Sequence, residues 1–107
     1  MPDLSLKHCV PCETGEGKLD IDKIKEYLKA VPDWLLIGDT IVKEYNFKNF
    51  KEALSFINKV GDIAEAEGHH PNIFNSYSKV KLTLMTHAAN GLTENDFILA
   101  AKINTLK

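Results

Sequence analysis

The chain has 107 residues, of which 44% are hydrophobic and 26% charged, and its formal net charge is -2. This length and composition are typical of one compact globular domain. A small negative charge without a dense Lys/Arg tract gives no general attraction to nucleic acid or to an anionic membrane. No apolar run approaches the ~20 residues that span a bilayer, and the first residues lack the apolar core of a signal peptide. We therefore expect a soluble cytoplasmic protein that binds neither nucleic acid nor membrane.

The two cysteines, Cys9 and Cys12, have a C-x-x-C spacing. Elsewhere this spacing serves redox chemistry or half of a zinc site. A zinc site needs two further ligands, and a redox pair is expected within a βαβ unit, whereas this pair lies in a predicted N-terminal arm over residues 1–18. We interpret the pair as structural or incidental, with a metal or redox role as the alternative. Residues 19–107 are predicted to form the single domain.

The first half of this domain predicts a helix followed by a β-hairpin. Apolar residues at helical spacing fill residues 19–31, where Asp20 is suited to the N-cap and Pro32 to ending the helix. Two apolar runs follow within residues 34–47 and are separated by a Gly-Asp pair. The second run alternates between two faces, which is typical of a strand in a hairpin.

The longest predicted helix covers about residues 50–66. Asn49 followed three residues later by Glu52 resembles a capping box, while Gly68 suits a left-handed C-cap before Pro71. At ~1.5–3 kcal/mol for each large side chain fully buried, its broad apolar stripe predicts the core helix. The stripe consists of Phe50, Ala53, Leu54, Phe56, Ile57, Val60, Ile63 and Ala64.

The remaining residues predict two strands and a last helix. Strand patterns run from residue 73 to residue 87, with a tight turn expected near Ser78-Lys79. A capping box beginning at Thr93 opens the final helix. The element order is therefore αββαββα. Consecutive hairpins favour a four-stranded antiparallel sheet with helices packed on one face, an α+β domain.

Three of the four histidines lie within 19 residues. His69 and His70 follow the core helix and His87 ends a strand, so their side chains can converge on a cleft. Imidazole has a reference pKa of ~6.5 and can donate or accept a proton near neutral pH. Glu65 lies four residues before His69, so we expect these two to share a helix face and to hydrogen-bond.

Structural explanations remain open for each of these residues. Cationic side chains at a helix C-terminus suit the helix dipole, which would explain His69 and His70 without any chemistry. In the other structural explanations, Glu65 is a solvated helix residue, His87 an exposed strand end, Tyr77 a strand aromatic and Asp96 the capping-box acid.

The joint spacing is more informative than any single residue. Glu65 is followed by His69-His70-Pro71, then by Tyr77 six residues after the proline, His87 ten later and Asp96 nine later. This pattern resembles the signature of the pterin-4a-carbinolamine dehydratases. The similarity extends to the segments THAANGLTENDFILAAKI and FKNFKEALSFINKV, and to CVPCE near the N-terminus, so it covers most of the chain.

The resemblance implies a hydro-lyase that removes water from 4a-hydroxytetrahydropterin to give quinonoid dihydropterin, without a metal or an organic cofactor. It implies His69 and His87 as the acid-base pair, His70 as a residue that mainly holds the pterin, and Glu65 as a hydrogen-bonding support. The expected catalytic residues are thus Glu65, His69, His70 and His87. The expected substrate-binding residues are Glu65, His70, Tyr77 and Thr86, with support from Pro71 and Asp96.

Two positions depart from the pattern of this family. Many members have Trp where this chain has Ile73, and some have Arg where it has Asn95. All three histidines are retained, so we expect activity with an altered affinity. Because sheet edges would otherwise stay open, and family members pair through them, the expected partner is a second copy in a homodimer or homotetramer.

Two rival functions remain. Some animal members of the family also act as dimerisation cofactors of a transcription factor, which would use a helix face for protein binding. The histidines and Glu65 could instead be ligands of a metal.

Overall fold

The computed structural model describes residues 4–6 and 18–106. The sheet is antiparallel and four-stranded, in the order β1-β2-β4-β3. The predicted order αββαββα and the α+β class are confirmed. The elements are α1 (Ile21–Leu28), β1 (Leu35–Ile37), β2 (Thr40–Asn46), α2 (Phe50–Glu67), β3 (Asn72–Ser76), β4 (Lys79–Leu84) and α3 (Glu94–Asn104), with 3-10 helices at Leu4–Leu6 and His87–Ala89.

The predicted helix caps are present. The Asp20 side chain accepts from the Lys23 amide, and the Asn49 side chain accepts from the Glu52 amide at 2.9 Å. Gly68 ends α2 in the left-handed conformation, with φ 66°. These side-chain and glycine caps satisfy backbone groups that a helix end leaves without partners. They fix where α1 begins and where α2 begins and ends, although α1 stops at Leu28 rather than at residue 31.

The core lies between the sheet and the helices on one of its faces. Alternate residues of β4 point into it, and Val80, Leu82 and Leu84 are all 0% exposed. Helix α3 contributes the fully buried Phe97. The registers place Leu35, Ile37 and Phe74 on the opposite face of the sheet, and all three are exposed.

The turn expected near Ser78-Lys79 is present and is formed by Tyr77 and Ser78. Two local predictions were wrong. Strand β4 ends at Leu84 rather than continuing to His87. The stripe on α2 is not entirely in the core, since Phe50 is 44% and Leu54 41% exposed. The alternation of apolar residues therefore locates β4 correctly but overestimates its length.

The segment Leu4–Leu6 packs on α3. Leu4 is 2% exposed within the core, and the Lys102 ammonium donates to the Ser5 carbonyl at 2.8 Å. Of the predicted arm over residues 1–18, the structure describes only residues 4–6 and 18, and Cys9 and Cys12 lie outside the described residues. None of the helices in the described part of the chain has the length and apolar character needed to cross a bilayer.

We expect Leu82→Ala to lower the free energy of unfolding by about 2–5 kcal/mol, because it opens a cavity in the centre of the sheet. Leu35→Ala is the matched control: Leu35 is 64% exposed, so its truncation should cost less than about 1 kcal/mol. Urea denaturation followed by circular dichroism measures both. Equal losses from the two variants would contradict this location of the core.

Candidate active site

The segments that carry the histidines meet at one end of the sheet. Strand β3 begins with Asn72, which pairs with Thr83 near the end of β4. In an antiparallel pair, the start of one strand lies beside the end of the other. The chain therefore enters β3 through His69-His70-Pro71 at the same end where it leaves β4 towards His87.

The end of α2 directs His69 away from the helix. The left-handed Gly68 turns the chain, and the His69 amide donates back to the Ala64 carbonyl at 3.2 Å. Pro71 cannot continue a helix because it lacks an amide hydrogen. His69 therefore directly follows a helix end that is fixed by hydrogen bonds, and its side chain is 14% exposed.

His69 contacts a buried carboxylate. Its Nε2 lies 2.6 Å from Oδ1 of Asp96, whose side chain is 0% exposed. Because a carboxylate only accepts hydrogen bonds, we assign the hydrogen to Nε2 of His69. The other ring nitrogen, Nδ1, is then the atom that can exchange a proton with a bound molecule. A carboxylate in this position orients the ring.

The other oxygen of Asp96 is held by two threonines. Oδ2 accepts from the Thr86 hydroxyl at 2.9 Å and from the Thr93 amide at 2.9 Å. The Thr86 hydroxyl donates to Asp96, so the Thr93 hydroxyl, 2.9 Å away, must donate to the Thr86 oxygen. The predicted capping box at the start of α3 is present, and its acid is also the partner of His69.

Thr86 connects this network to His87. Its backbone forms an isolated bridge with Gly91, and its amide donates to the Gly91 carbonyl at 2.8 Å. This short closed loop contains the 3-10 helix His87–Ala89, and His87 is exposed. One buried carboxylate therefore fixes both His69 and the residue that precedes His87.

His70 and Glu65 form a second, solvent-exposed pair. The Nε2 of His70 lies 3.2 Å from Oε1 of Glu65, and the two side chains are 58% and 81% exposed. The expected contact between Glu65 and His69 was wrong, because α2 ends at Glu67 and Gly68 redirects the chain. The carboxylate partner of His69 is instead Asp96.

Tyr77 is not part of the histidine cluster in this chain. It lies in the β3–β4 turn, at the other end of a strand of five residues, which at ~3.3 Å per residue is roughly 16 Å along the sheet. Its side chain is 67% exposed and it is a turn residue, not the strand aromatic of the structural explanation. The expectation that Tyr77 binds substrate is therefore not supported by a site within one chain.

The first turn of α3, which carries Asp96, is held from outside by α1. The Tyr27 hydroxyl donates to Oε2 of Glu94 at 2.6 Å, and the Tyr27 ring stacks on Phe97 with centroids 5.3 Å apart. The hydrogen bond to Glu94 and burial raise the pKa of Tyr27 to about 12. The phenol therefore remains a hydrogen-bond donor throughout the physiological pH range.

The arrangement suits proton transfer to and from a small molecule. Within residues 4–6 and 18–106, no three His, Cys, Asp or Glu side chains are grouped closely enough to hold a metal. The end of the sheet where β3 begins carries one shielded imidazole with a buried carboxylate and one exposed imidazole with an exposed carboxylate, and β4 leaves this end towards the exposed His87. This is a donor and acceptor set for acid-base chemistry.

A family model described as pterin 4 alpha carbinolamine dehydratase matches residues 17–106. The chain belongs to this family. A protein of Alkaliphilus metalliredigens, provisionally named pterin-4-alpha-carbinolamine dehydratase, is 47% identical over 97% of this chain and 96% of its own length. A protein of Halorhodospira halophila with the same provisional name is 45% identical over 96% of each chain. The suspected family relationship is thus confirmed.

A solved structure has the same fold. The crystal structure of a transcriptional coactivator/pterin dehydratase from Brucella melitensis matches with a TM-score of 0.78 and 36% sequence identity. The match covers 82% of this chain and 96% of that chain. The α+β architecture is therefore shared with a member of the family whose description names two functions.

The contact between His69 and Asp96 was missed by analysis of the sequence, although both residues were named. They are 27 residues apart, and Asp96 already had a sufficient explanation as a capping residue. Thr93 was identified only as a cap, and its hydroxyl also belongs to the buried network. The available signal was the spacing of the family motif, which includes Asp96 but does not specify its partner.

We expect Asp96→Ala to destabilise the fold by about 3 kcal/mol, because it leaves the Thr86 hydroxyl and the Thr93 amide buried without an acceptor. Asn49→Ala removes an exposed helix cap and should cost only ~1 kcal/mol. Denaturant unfolding of both variants measures the difference. Similar losses would show that Asp96 acts as a helix cap alone.

Proposed function

We propose that the protein is a 4a-hydroxytetrahydropterin dehydratase, a hydro-lyase that forms quinonoid dihydropterin and water and so supports tetrahydrobiopterin recycling. The observation that carries the proposal is the 2.6 Å contact between His69 and the buried Asp96. It occurs in a chain of this family, at the end of the sheet that also carries His70 and His87. A cytoplasmic location is part of the same proposal.

The reaction needs one proton donor and one proton acceptor. The bond from C4a to its hydroxyl breaks, and the hydroxyl leaves as water after it receives a proton. The proton on N5 is lost, and its bonding pair forms the C4a=N5 double bond. Since the protein gives one proton and takes one, its total number of bound protons does not change, and no electrons are gained or lost. Each positioned proton transfer typically contributes ~10²–10⁴-fold to the rate.

His69 and His87 are the proposed acid-base pair. With Nε2 of His69 donating to Asp96, Nδ1 is the ring nitrogen left to gain or lose a proton. The contact with Asp96 holds the ring in place, so His69 can exchange a proton without leaving its position. His87, exposed at the start of a 3-10 helix, supplies the complementary transfer.

His70 and Glu65 are proposed to hold the pterin. Their 3.2 Å contact orients the His70 ring at the solvent-exposed side of the cluster, where a planar heterocycle can enter. Thr86 was expected to bind substrate, but its hydroxyl is buried and donates to Asp96. We therefore propose that Thr86 positions the catalytic residues and does not contact the pterin.

Self-association is part of the proposed function. The sheet ends on one side in β1, which has three residues, and on the other in β3, which has five. An uncovered edge strand offers unpaired backbone groups to another strand. A homodimer formed through such an edge, or a homotetramer built from two such dimers, would cover it.

The dehydration of 4a-hydroxytetrahydropterin, followed by ultraviolet absorbance against the spontaneous reaction, tests this function. We expect acceleration by the wild type and a fall of ~10²–10⁴-fold in His69→Ala and His87→Ala. His70→Ala should mainly raise KM, because its role is to hold the substrate. His8→Ala, at the one histidine that has no proposed role, is the control that should retain full activity. A folded wild type without acceleration would refute the enzyme, and unimpaired His69 and His87 variants would refute their roles.

A protein-binding module is the second candidate function. The observation that favours it is the pair Phe50 and Leu54, one turn apart on α2 and 44% and 41% exposed. Exposed apolar residues on one helix face are suited to packing against another helix. This role would leave the histidines unused.

Replacement of this helix face separates the two candidates. We expect the double variant Phe50→Ser/Leu54→Ser to retain dehydratase activity, because neither residue lies at the histidine end of the sheet. Pull-down from extract compares its partners with those of His69→Ala. A partner that is lost from the helix variant but retained by His69→Ala would establish the binding function. If both variants capture the same proteins, the binding function is refuted.

A further inference from the structure

The last turn of α2 has two carboxylates and no cation of its own. Glu65 and Glu67 lie in this turn, and it contains no basic residue. The C-terminal end of a helix carries a partial negative charge, so a carboxylate there is repelled unless a cation lies nearby. Glu65 is exposed and water screens its charge, but the Glu67 side chain is only 7% exposed. Glu67 therefore needs a cation from another element.

Lys102 of α3 provides this cation. Its Nζ lies 3.8 Å from Oε2 of Glu67, within ion-pair distance, and its side chain is 16% exposed. The same ammonium donates to the Ser5 carbonyl at 2.8 Å, in the N-terminal segment Leu4–Leu6 that packs on α3. Removal of one member of a buried ion pair is costly, because the other charge is left without compensation. Lys102 thus joins the end of α2 to α3 and to the N-terminal segment.

The end of α2 contacts α3 at two separate points. His69 meets Asp96 at the start of α3, whereas Glu67 meets Lys102 in its last turn. Asp96 and Lys102 are six residues apart, which at ~1.5 Å per residue is roughly 9 Å along the helix axis. Two contacts at this separation oppose a rotation of the end of α2 against α3 that either contact alone would allow.

The residue between Glu67 and His69 does not fix this turn by packing. Gly68 has no side chain, and a Cβ placed on it would meet no atom within 4 Å among the residues that the structure describes. The turn is held by the Ala64 carbonyl, which accepts from the amides of both Gly68 and His69. The nearest side-chain anchor before His69 is therefore Glu67, and its partner is Lys102.

We propose that Lys102 is a positioning residue of the active site: by holding Glu67, it fixes the end of α2 from which His69 reaches Asp96. The N-terminal segment completes this arrangement, because the Ser5 carbonyl fixes the Lys102 ammonium. In this role Lys102 does not contact the substrate and acts through the position of His69. The inference rests on the proposed function, since His69 is the proposed proton-transfer residue.

Substitution of Lys102 tests this role. We expect Lys102→Met to lower kcat of the dehydratase reaction about 10-fold, within the ~10²-fold that a 1 Å misplacement of reacting groups can cost. KM should stay within about twofold of the wild type, because His70 and Glu65, which are proposed to hold the pterin, keep their own contact. Lys102→Arg keeps the charge and should restore most of the wild-type kcat. Lys23→Met breaks an exposed ion pair of 3.9 Å with Glu26 and is the matched control, with wild-type kcat expected.

The double variant Glu67→Gln/Lys102→Met separates the position of the helix end from the cost of an unpaired charge. It removes both charges of the pair, so it should remain folded. Its loss of kcat should nevertheless equal that of Lys102→Met, because the contact that holds the end of α2 is absent from both variants. Wild-type kcat in either folded variant would overturn the proposal.

Nuclear magnetic resonance of the His69 ring tests the mechanism without substrate. The Nε2 hydrogen that donates to Asp96 is shielded, so its resonance should be observed in the wild type and in Lys23→Met, and His69→Ala assigns it by its loss. In Lys102→Met we expect this resonance to broaden through faster exchange with water. An unchanged resonance in folded Lys102→Met would overturn the proposal even if the dehydratase is active. A wild type without turnover would refute the dehydratase, and the resonance would then still decide whether Lys102 positions His69.

Discussion

The structure depends on one buried carboxylate. Asp96 is 0% exposed, and its two oxygens are hydrogen-bonded to His69, Thr86 and Thr93. Burial of an ionised group is costly unless its hydrogen-bonding capacity is satisfied, so these three contacts are a condition for placing Asp96 there. They join the end of α2, the exit from β4 and the start of α3. The position of His69 and the contact between these three segments therefore depend on the same atoms.

The histidines differ because their surroundings differ. His69 is 14% exposed and bonded to a buried carboxylate, whereas His70 is 58% exposed and bonded to a carboxylate that is itself 81% exposed. Water screens the second pair, whereas burial shields the first. This contrast between two residues adjacent in the sequence supports the proposed division between proton transfer and substrate holding.

Local patterns predicted the elements well because local physics determines them. Asn49, Gly68 and Thr93 act through hydrogen bonds or backbone conformations within a few residues, so the sequence shows where the helices begin and end. The length of β4 was overestimated because the alternation persists past Leu84, while the bridge between Thr86 and Gly91 turns the chain. The alternation of apolar and polar residues does not indicate that bridge.

The site was less predictable because its contacts are not local. Helical spacing favoured a contact between Glu65 and His69. Because Gly68 is left-handed and ends the helix, Glu65 instead contacts His70, and His69 contacts Asp96. The β3–β4 turn begins at Tyr77, one residue before Ser78-Lys79. Tyr77 has a positive φ, a conformation that sequence rules assign to glycine or asparagine. Family spacing identified the residues, and only the tertiary structure identified their partners.

The two departures from the family pattern lie outside the hydrogen bonds that hold His69. Ile73, 41% exposed, is on β3 opposite Leu82, so a smaller side chain there alters the edge of the sheet and not the buried network. Asn95 is 4% exposed in the first turn of α3, beside Asp96. A neutral side chain is the less costly occupant of such a buried position, because an arginine there would need its own buried partner. Both departures are therefore compatible with an intact His69–Asp96 pair.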